Sequence, residues 1–102
     1  MPPESPALTG QQRKWLRGQA HALKPIVHIG EAGLSASVIE ATRAALDRHE
    51  LIKVRLQQPT DKRGTAQQIS EQASATLCGL VGHTVILYRA HPENPKLVLP
   101  GE

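Results

Sequence analysis

Short apolar runs, rich in β-branched residues, alternate along this chain with longer stretches whose apolar residues recur at helical spacing. The strand-like runs are 26–29, 51–56, 77–81 and 84–88. The helix-like stretches run from about 10 to 22, from 36 to 49, and from a polar segment after 64 whose inward face is Ala66, Ile69, Ala73 and Leu77. The order α-β-α-β-α-β-β predicts an α/β fold, with a sheet covered by helices, βα crossovers first and a hairpin last.

The length of 102 residues, with 39% hydrophobic content, fits a single domain. Residues 1–8 contain three prolines, which block helix growth, and are predicted to form a flexible arm. The folded domain is expected over 9–90. Residues 91–102 form a proline-rich tail, in which 96–99 could add a short edge strand.

The residues that usually carry metal or catalytic chemistry are sparse and scattered. Cys78 is the single cysteine, so it forms no internal disulfide and is interpreted as a small buried hydrophobe. The five histidines show no ligand spacing, and His28 is interpreted as a core or rim histidine. Asp47 and Glu50 are interpreted as ordinary surface charges at the end of the second helix. We therefore expect no metal, no cofactor, no small-molecule substrate and no enzymatic activity.

The overall composition is compatible with an anionic partner. Twelve Lys and Arg against nine Asp and Glu give a net charge of +3. Trp15 and Tyr88 are the only aromatic residues, which disfavours a site built on stacked bases. No apolar run is long enough to span a membrane and no signal-peptide pattern is present, so the expected location is the cytoplasm.

The sharpest local motif is the four-residue loop Gly30-Glu31-Ala32-Gly33, between a predicted strand and a predicted helix. Glycines let backbone amides turn toward a ligand, and a helix N-terminus attracts phosphate. A tight βα turn needs glycine whether or not a ligand binds, and the charge of Glu31 would repel phosphate. The motif alone therefore leaves two interpretations open, a phosphate-binding loop and a plain turn.

A stripe of basic residues on the first helix is the second feature. Arg13, Arg17, His21 and Lys24 fall within about one quadrant of the helical wheel, and residues 9–30 contain no acid. Further positive charge comes from Lys53 and Arg55 on the second strand, and from Lys62 and Arg63 beyond it. Such a surface is suited to nucleic-acid phosphates, although a solvated helix face would show the same pattern.

Three sequence segments carry a family resemblance: LTGQQRKWLRGQAHALKPIVHIGEAGLS, HELIKV and VGHTVILYR, with KLVLP in the tail. Across 8–89 the chain resembles the bacterial YhbY proteins, the stand-alone form of the CRM (chloroplast RNA splicing and ribosome maturation) domain. The resemblance implies a mixed sheet packed on helices, similar to the C-terminal domain of bacterial translation initiation factor three. It also implies RNA binding through a GxxG loop like that of KH domains, and association with precursors of the large ribosomal subunit.

Carried over by position, the family's loop glycines are Gly30 and Gly33, and its basic residues are Lys24, Lys53 and Arg89. The chain departs from the family at Glu31 and at Gly79. A glycine inside a strand predicts a bulge or a close backbone approach at Gly79.

The sequence therefore predicts a non-enzymatic, monomeric RNA-binding protein that contacts structured ribosomal RNA by shape and phosphate. The alternative is a protein-interaction module on assembling ribosomes or translation factors, using the hairpin edge and the tail. The predicted RNA-binding residues are Arg13, Arg17, His21, Lys24, Gly30, Glu31, Ala32, Gly33, Lys53, Arg55 and Arg89.

Overall fold

The computed structural model describes residues 8–30, 33–57, 61–93 and 95–101. The helices are α1 (Gly10–Ala20), α2 (Ala36–His49) and α3 (Lys62–Gln72). The strands are β1 (Val27–Ile29), β2 (Leu51–Leu56), β3 (Thr76–Val81) and β4 (Thr84–Tyr88). The predicted α/β fold and the predicted order of elements are confirmed. The arm predicted for 1–8 lies outside the described residues, apart from Leu8.

The strands form one mixed sheet with the order β1-β2-β4-β3. Strand β1 runs parallel to β2, as the βα crossover through α2 requires, while β4 is antiparallel to both β2 and β3. The ends of β1 and β2 and the β3–β4 turn therefore meet at one end of the sheet, which we call the loop end. The starts of β1 and β2 meet the end of β4 at the opposite end.

The helices cover the two faces of this sheet unequally. Helices α2 and α3 pack on one face, where Leu46, Ile69 and the alternate strand residues Ile52, Val54 and Leu87 form the larger core. Helix α1 packs on the other face through Leu16 and Ala20 against a smaller cluster of Leu51, Cys78, Ile86, Tyr88 and Leu99. The predicted burial of Cys78 is confirmed. A single helix is too narrow to cover a four-stranded face, so part of that face stays exposed.

Two helix boundaries differ from the sequence-based expectation. Helix α1 begins with the predicted capping box between Thr9 and Gln12 but ends at Ala20, because the chain turns there and the Leu23 amide bonds the Ala20 carbonyl. Helix α3 begins at Lys62, earlier than expected, because Asp61 caps it by accepting from the Gly64 amide. No helix in the described part of the chain is long and apolar enough to cross a membrane.

Strand β3 carries an irregularity at Gly79, as its glycine predicts. The pairing with β4 shifts between Leu77 and Gly79. A Cβ at Gly79 would lie 2.6 Å from Cδ of Arg17, so the position also shows the close approach that was the other expectation. Leu77, predicted both on the inward face of the third helix and at the start of the third strand, is in β3, and it packs against the larger core.

Glu50 is not the ordinary surface charge that its position suggested. It is 1% exposed and lies in the turn between α2 and β2 with a φ of 63°. Its carboxylate accepts hydrogen bonds from the amides of His91 (2.7 Å), Lys96 (2.9 Å) and Leu97 (3.0 Å). Burial alone would raise the pKa of Glu50, but these three N–H donors and the nearby His91 charge outweigh burial and lower it.

The tail is held by this carboxylate and forms no strand over 96–99, so the suggested edge strand is wrong. Amides that would have paired with a neighbouring strand bond Glu50 instead. Leu97 and Leu99 then pack on the α1 face, and the Pro100 carbonyl accepts from the Gln12 side chain. The tail thus closes the smaller core beside the start of α1.

Candidate nucleic-acid interface

Helix α1 leaves one row of the sheet uncovered. Below α1, cross-strand pairing links Lys53, Ile86 and Gly79 in a row, with Arg17 lying over Gly79. Side chains alternate between faces along a strand, so the next row on the same face is two residues nearer the loop end. That row consists of the cross-strand neighbours His28, Arg55, Thr84 and Val81, and we call it the open row.

The open row is accessible across its whole width. His28 and Arg55 are exposed, Thr84 is partly exposed, and Val81 is 62% exposed. The interpretation of His28 as a core or rim histidine is therefore resolved in favour of a surface position. The row presents a guanidinium, an imidazole, a hydroxyl and one aliphatic side chain along a line perpendicular to the strands.

The glycine loop lies at the β1 end of the open row. Gly30 directly follows β1, and the Gly33 amide donates to the Gly30 carbonyl at 3.0 Å, which closes a turn. Ser35 then caps α2 by accepting from the Val38 amide. The Gln57 amide bonds the Ile29 carbonyl at 2.9 Å, so the loop is fixed against the end of β2. Glu31 and Ala32, the two predicted site residues between the glycines, lie outside the described residues.

The two glycines differ in what the structure requires of them. Gly33 has a φ of +80°, a conformation that side chains with a Cβ rarely adopt, so the turn itself needs glycine there. Gly30 does not have positive φ, and among the described residues a Cβ there would meet only Oε1 of Gln57, at 3.9 Å. Neither its backbone conformation nor the packing of the described residues around it requires glycine at position 30. Because Gly30 has no side chain, a ligand can approach its backbone directly.

An exposed hollow connects the loop end of the sheet with the open row. It is lined by His28, Arg55, Gln57 and His83, with Pro25 and Leu56. The His83 carbonyl accepts from the Leu56 amide at 2.7 Å, which holds the hairpin turn against the end of β2. No acidic residue is among the described residues that line the hollow. Its lining combines polar and apolar surface, and the fixed charge of Arg55, with no acid beside it among the described residues, suits an anion.

Two of the predicted basic residues serve the packing of α1 as well as the charge of this face. Arg17 donates from Nη1 to the Cys78 carbonyl at 2.9 Å. Lys53 donates from Nζ to the Leu23 carbonyl at 3.0 Å, at the other end of the helix. Both lie one row from the open row, and His21 is exposed in the turn that follows α1. These residues border the interface but are partly committed to holding α1 on the sheet.

The remaining predicted cations are placed elsewhere. Arg89 is on the α2 and α3 side, where it bonds the carbonyls of Ala73 and Arg43 and pairs with Asp47 at 2.5 Å. Lys24 precedes β1, so it lies at the end of the sheet opposite the loop. Arg13 lies beside Lys62 and Arg63 at the outer edge of β3. The structure therefore does not bring the predicted basic residues into one continuous track.

Three residues of this interface are absent from the predicted RNA-binding set: His28, Gln57 and His83. His28 alternates with the buried Val27 and Ile29, which was a signal that it faces the other side of the sheet. Gln57 and His83 join the site only because parallel and antiparallel pairing bring their segments together. No local sequence pattern predicts that Gln57 and His83 lie together.

The chain is similar to a known protein family and to several of its members. The family model of the CRS1/YhbY (CRM) domain matches residues 8–89. A Bacillus subtilis relative called "Probable RNA-binding protein YqeI" is 36% identical over 95 residues, covering 91% of this chain and 99% of the relative. A Haemophilus influenzae relative called "RNA-binding protein" is 35% identical over 95 residues, covering 91% of this chain and 95% of the relative.

The fold is shared with a solved structure. The solution structure of the hypothetical protein SAV1595 from Staphylococcus aureus superposes with a TM-score of 0.81 at 35% identity, covering 92% of this chain and all of that chain. The family model and the relatives both span nearly all of the α/β domain, including the loop and the open row. The chain therefore belongs to the CRS1/YhbY (CRM) domain family.

Proposed function

We propose that this protein binds ribosomal RNA, alone or in precursors of the large ribosomal subunit, through the Gly30 loop and the open row. The observation that carries the proposal is the glycine loop at one end of a solvent-exposed row containing Arg55 and His28. The names of the relatives, which describe RNA-binding proteins, support the same class of ligand. In this proposal the protein is a cytoplasmic monomer that acts by binding RNA and not as an enzyme.

The chemistry of the interface favours recognition of phosphate and shape. Neither Trp15 nor Tyr88 is in the open row, so bases have no large aromatic side chain there on which to stack. Arg55 offers a planar fork of donors that matches a phosphate group, and Thr84 and His28 add hydrogen-bonding groups. Structured RNA presents backbone phosphates and 2′-hydroxyls in a wide, shallow groove that such a surface can contact.

Position 30 gives the sharpest test, because a side chain there is structurally tolerated. Gly30→Asp places a negative charge on the loop, whereas Gly30→Asn adds a side chain of the same shape without charge. We expect Gly30→Asp to weaken binding to a large-subunit ribosomal RNA transcript by about tenfold or more, a free-energy change of about 1.4 kcal/mol or more. Gly30→Asn should lose less, and the melting temperatures of both should match that of the parent.

Filter binding and co-sedimentation with purified large-subunit precursors measure the two ligands in parallel. A folded Gly30→Asp protein that binds the transcript as tightly as the parent would contradict the role of the loop. Co-sedimentation that survives this variant but needs a ribosomal protein would favour the alternative, a protein-interaction module. The observation that favours that alternative is the exposure of Val81 (62%) on the hairpin and Val98 (78%) on the tail.

A further inference from the structure

A second cationic hollow lies at the opposite edge of the sheet from the Gly30 loop. Arg13 of α1 and Lys62 and Arg63 at the start of α3 line it, together with Gln67 and residues 77–80. Helices α1 and α3 pack on opposite faces of the sheet. Basic side chains therefore reach the edge strand β3 from both of its sides.

The charge of this hollow is not neutralised within the described chain. No acidic residue is among the described residues that line it, and none of its three basic residues takes part in an ion pair there. The nearby carboxylate of Asp61 is turned onto α3, where it accepts from the Gly64 amide. Lys62 donates from Nζ to the Gly82 carbonyl at 3.2 Å, which directs its charge toward the hairpin turn.

The positions of Lys62 and Arg63 are unfavourable for folding alone. Both are in the first turn of α3, where the helix dipole repels positive charge and where no residue of the turn itself is acidic, so the capping carboxylate of Asp61 is what offsets the repulsion. Arg63 is exposed. Lys62 and Arg63 lie against the dipole of α3 and beside Arg13 of α1. Their placement together is better explained by binding of an anionic ligand than by a contribution to folding stability.

We infer that this hollow binds a second backbone phosphate of the RNA, separate from the one at the Gly30 loop; the inference rests on the proposed function. The loop follows β1 and the hollow borders β3, which are the two edge strands of the sheet. Three strand spacings of about 4.8 Å separate these edges by roughly 14 Å. A single phosphate cannot contact both sites. The ligand must be a polymer that crosses the open row, and each contact then raises the effective concentration for the other.

The test removes the two charges contributed by α3. The double variant Lys62→Gln, Arg63→Gln should bind the large-subunit ribosomal RNA transcript roughly tenfold more weakly at low salt and reduce the salt slope by up to about 1.4 to 1.8. Its melting temperature should stay the same or rise, because the charges that oppose the helix dipole are gone. The matched control is Arg48→Gln, Lys96→Gln, which removes two exposed charges at the far end of the sheet.

The outcomes separate this inference from the proposed function. Loss of affinity in both the double variant and Gly30→Asp, with the control unchanged, supports two phosphate contacts. Loss in Gly30→Asp alone overturns the second site and leaves the proposed function standing. Loss in the double variant alone overturns the loop and with it the bridging arrangement. Equal loss in the control shows an effect of net charge only, and also overturns the second site.

Discussion

Glu50 holds the tail through three backbone amides, so its substitution separates tail docking from RNA binding. Glu50→Gln keeps the shape of the side chain but replaces one acceptor oxygen with a donor that faces backbone N–H groups. We expect the free energy of unfolding at neutral pH to fall by about 1–3 kcal/mol. The RNA affinity of the folded variant should not change, because Glu50 lies at the end of the sheet opposite the loop. Urea denaturation and filter binding measure the two effects.

The pH dependence of this effect has a defined sign. The pKa of Glu50 is lower in the folded protein than in the unfolded chain, so its stabilising contribution is complete above the ordinary glutamate pKa. The contribution disappears as the pH falls through the lowered folded-state pKa. The stability difference between Glu50→Gln and the parent should therefore shrink in acid. An unchanged difference would contradict the assignment, and Glu40→Gln, at an exposed position on α2, provides the control.

Residue-scale roles were only partly predictable from the sequence. The glycine pattern at 30 and 33 predicted a loop, but only the φ of +80° at Gly33 shows which glycine the turn requires. An acid before a strand is usually solvated, and Glu50 became buried because a tail more than 40 residues later supplies its donors. Such partners are set by tertiary packing, so no local spacing reveals them.

At the scale of elements, Gly79 tests how α1 is seated on the sheet. In Gly79→Ala the new methyl group would lie 2.6 Å from Cδ and 3.1 Å from Cγ of Arg17, so the arginine must swing away. The hydrogen bond to the Cys78 carbonyl would then be lost, at a cost of about 1 kcal/mol in the free energy of unfolding.

A double-mutant cycle with Arg17→Ala isolates this contact. In the Arg17→Ala background the methyl group has no side chain to displace, so Gly79→Ala should be nearly neutral there. The coupling energy should be at least about 0.5 kcal/mol by thermal or urea denaturation. Additive effects would mean that the strand irregularity, and not the arginine, requires glycine.

The order of elements followed from the sequence because the two periodicities, two and 3.6, differ sharply between 51–56 and 36–49. The boundaries of the helices and strands were less predictable from the sequence. Helix α3 starts at its Asp61 cap, and Leu77 fits a helical stripe and a strand equally because both place it over the larger core. At Leu77 the local pattern therefore predicts which core the side chain faces, but not whether the residue belongs to a helix or to a strand.

At the scale of the whole molecule, the sheet has two ends with different roles. The loop end gathers Gly30, Gln57 and the β3–β4 turn beside the open row. The opposite end holds the carboxylate of Glu50, the docked tail and Lys24. The basic residues looked like one surface in the sequence because helical spacing was the only geometry available. The fold instead separates Arg55 in the open row from Arg13 at the edge of β3, Arg89 on the opposite face and Lys24 at the opposite end.

This division predicts which lysines RNA will shield from chemical acetylation. Lys62 reaches toward the hairpin turn, so bound RNA should slow its acetylation several-fold. Lys24 and Lys96, both exposed at the opposite end, should react at the same rate with and without RNA. Mass spectrometry after brief labelling of the parent protein, at a salt concentration that keeps the complex saturated, measures all sites in one sample. Protection of Lys24 and Lys96 with Lys62 unprotected would place the RNA at the Glu50 end of the molecule and contradict the interface at the open row.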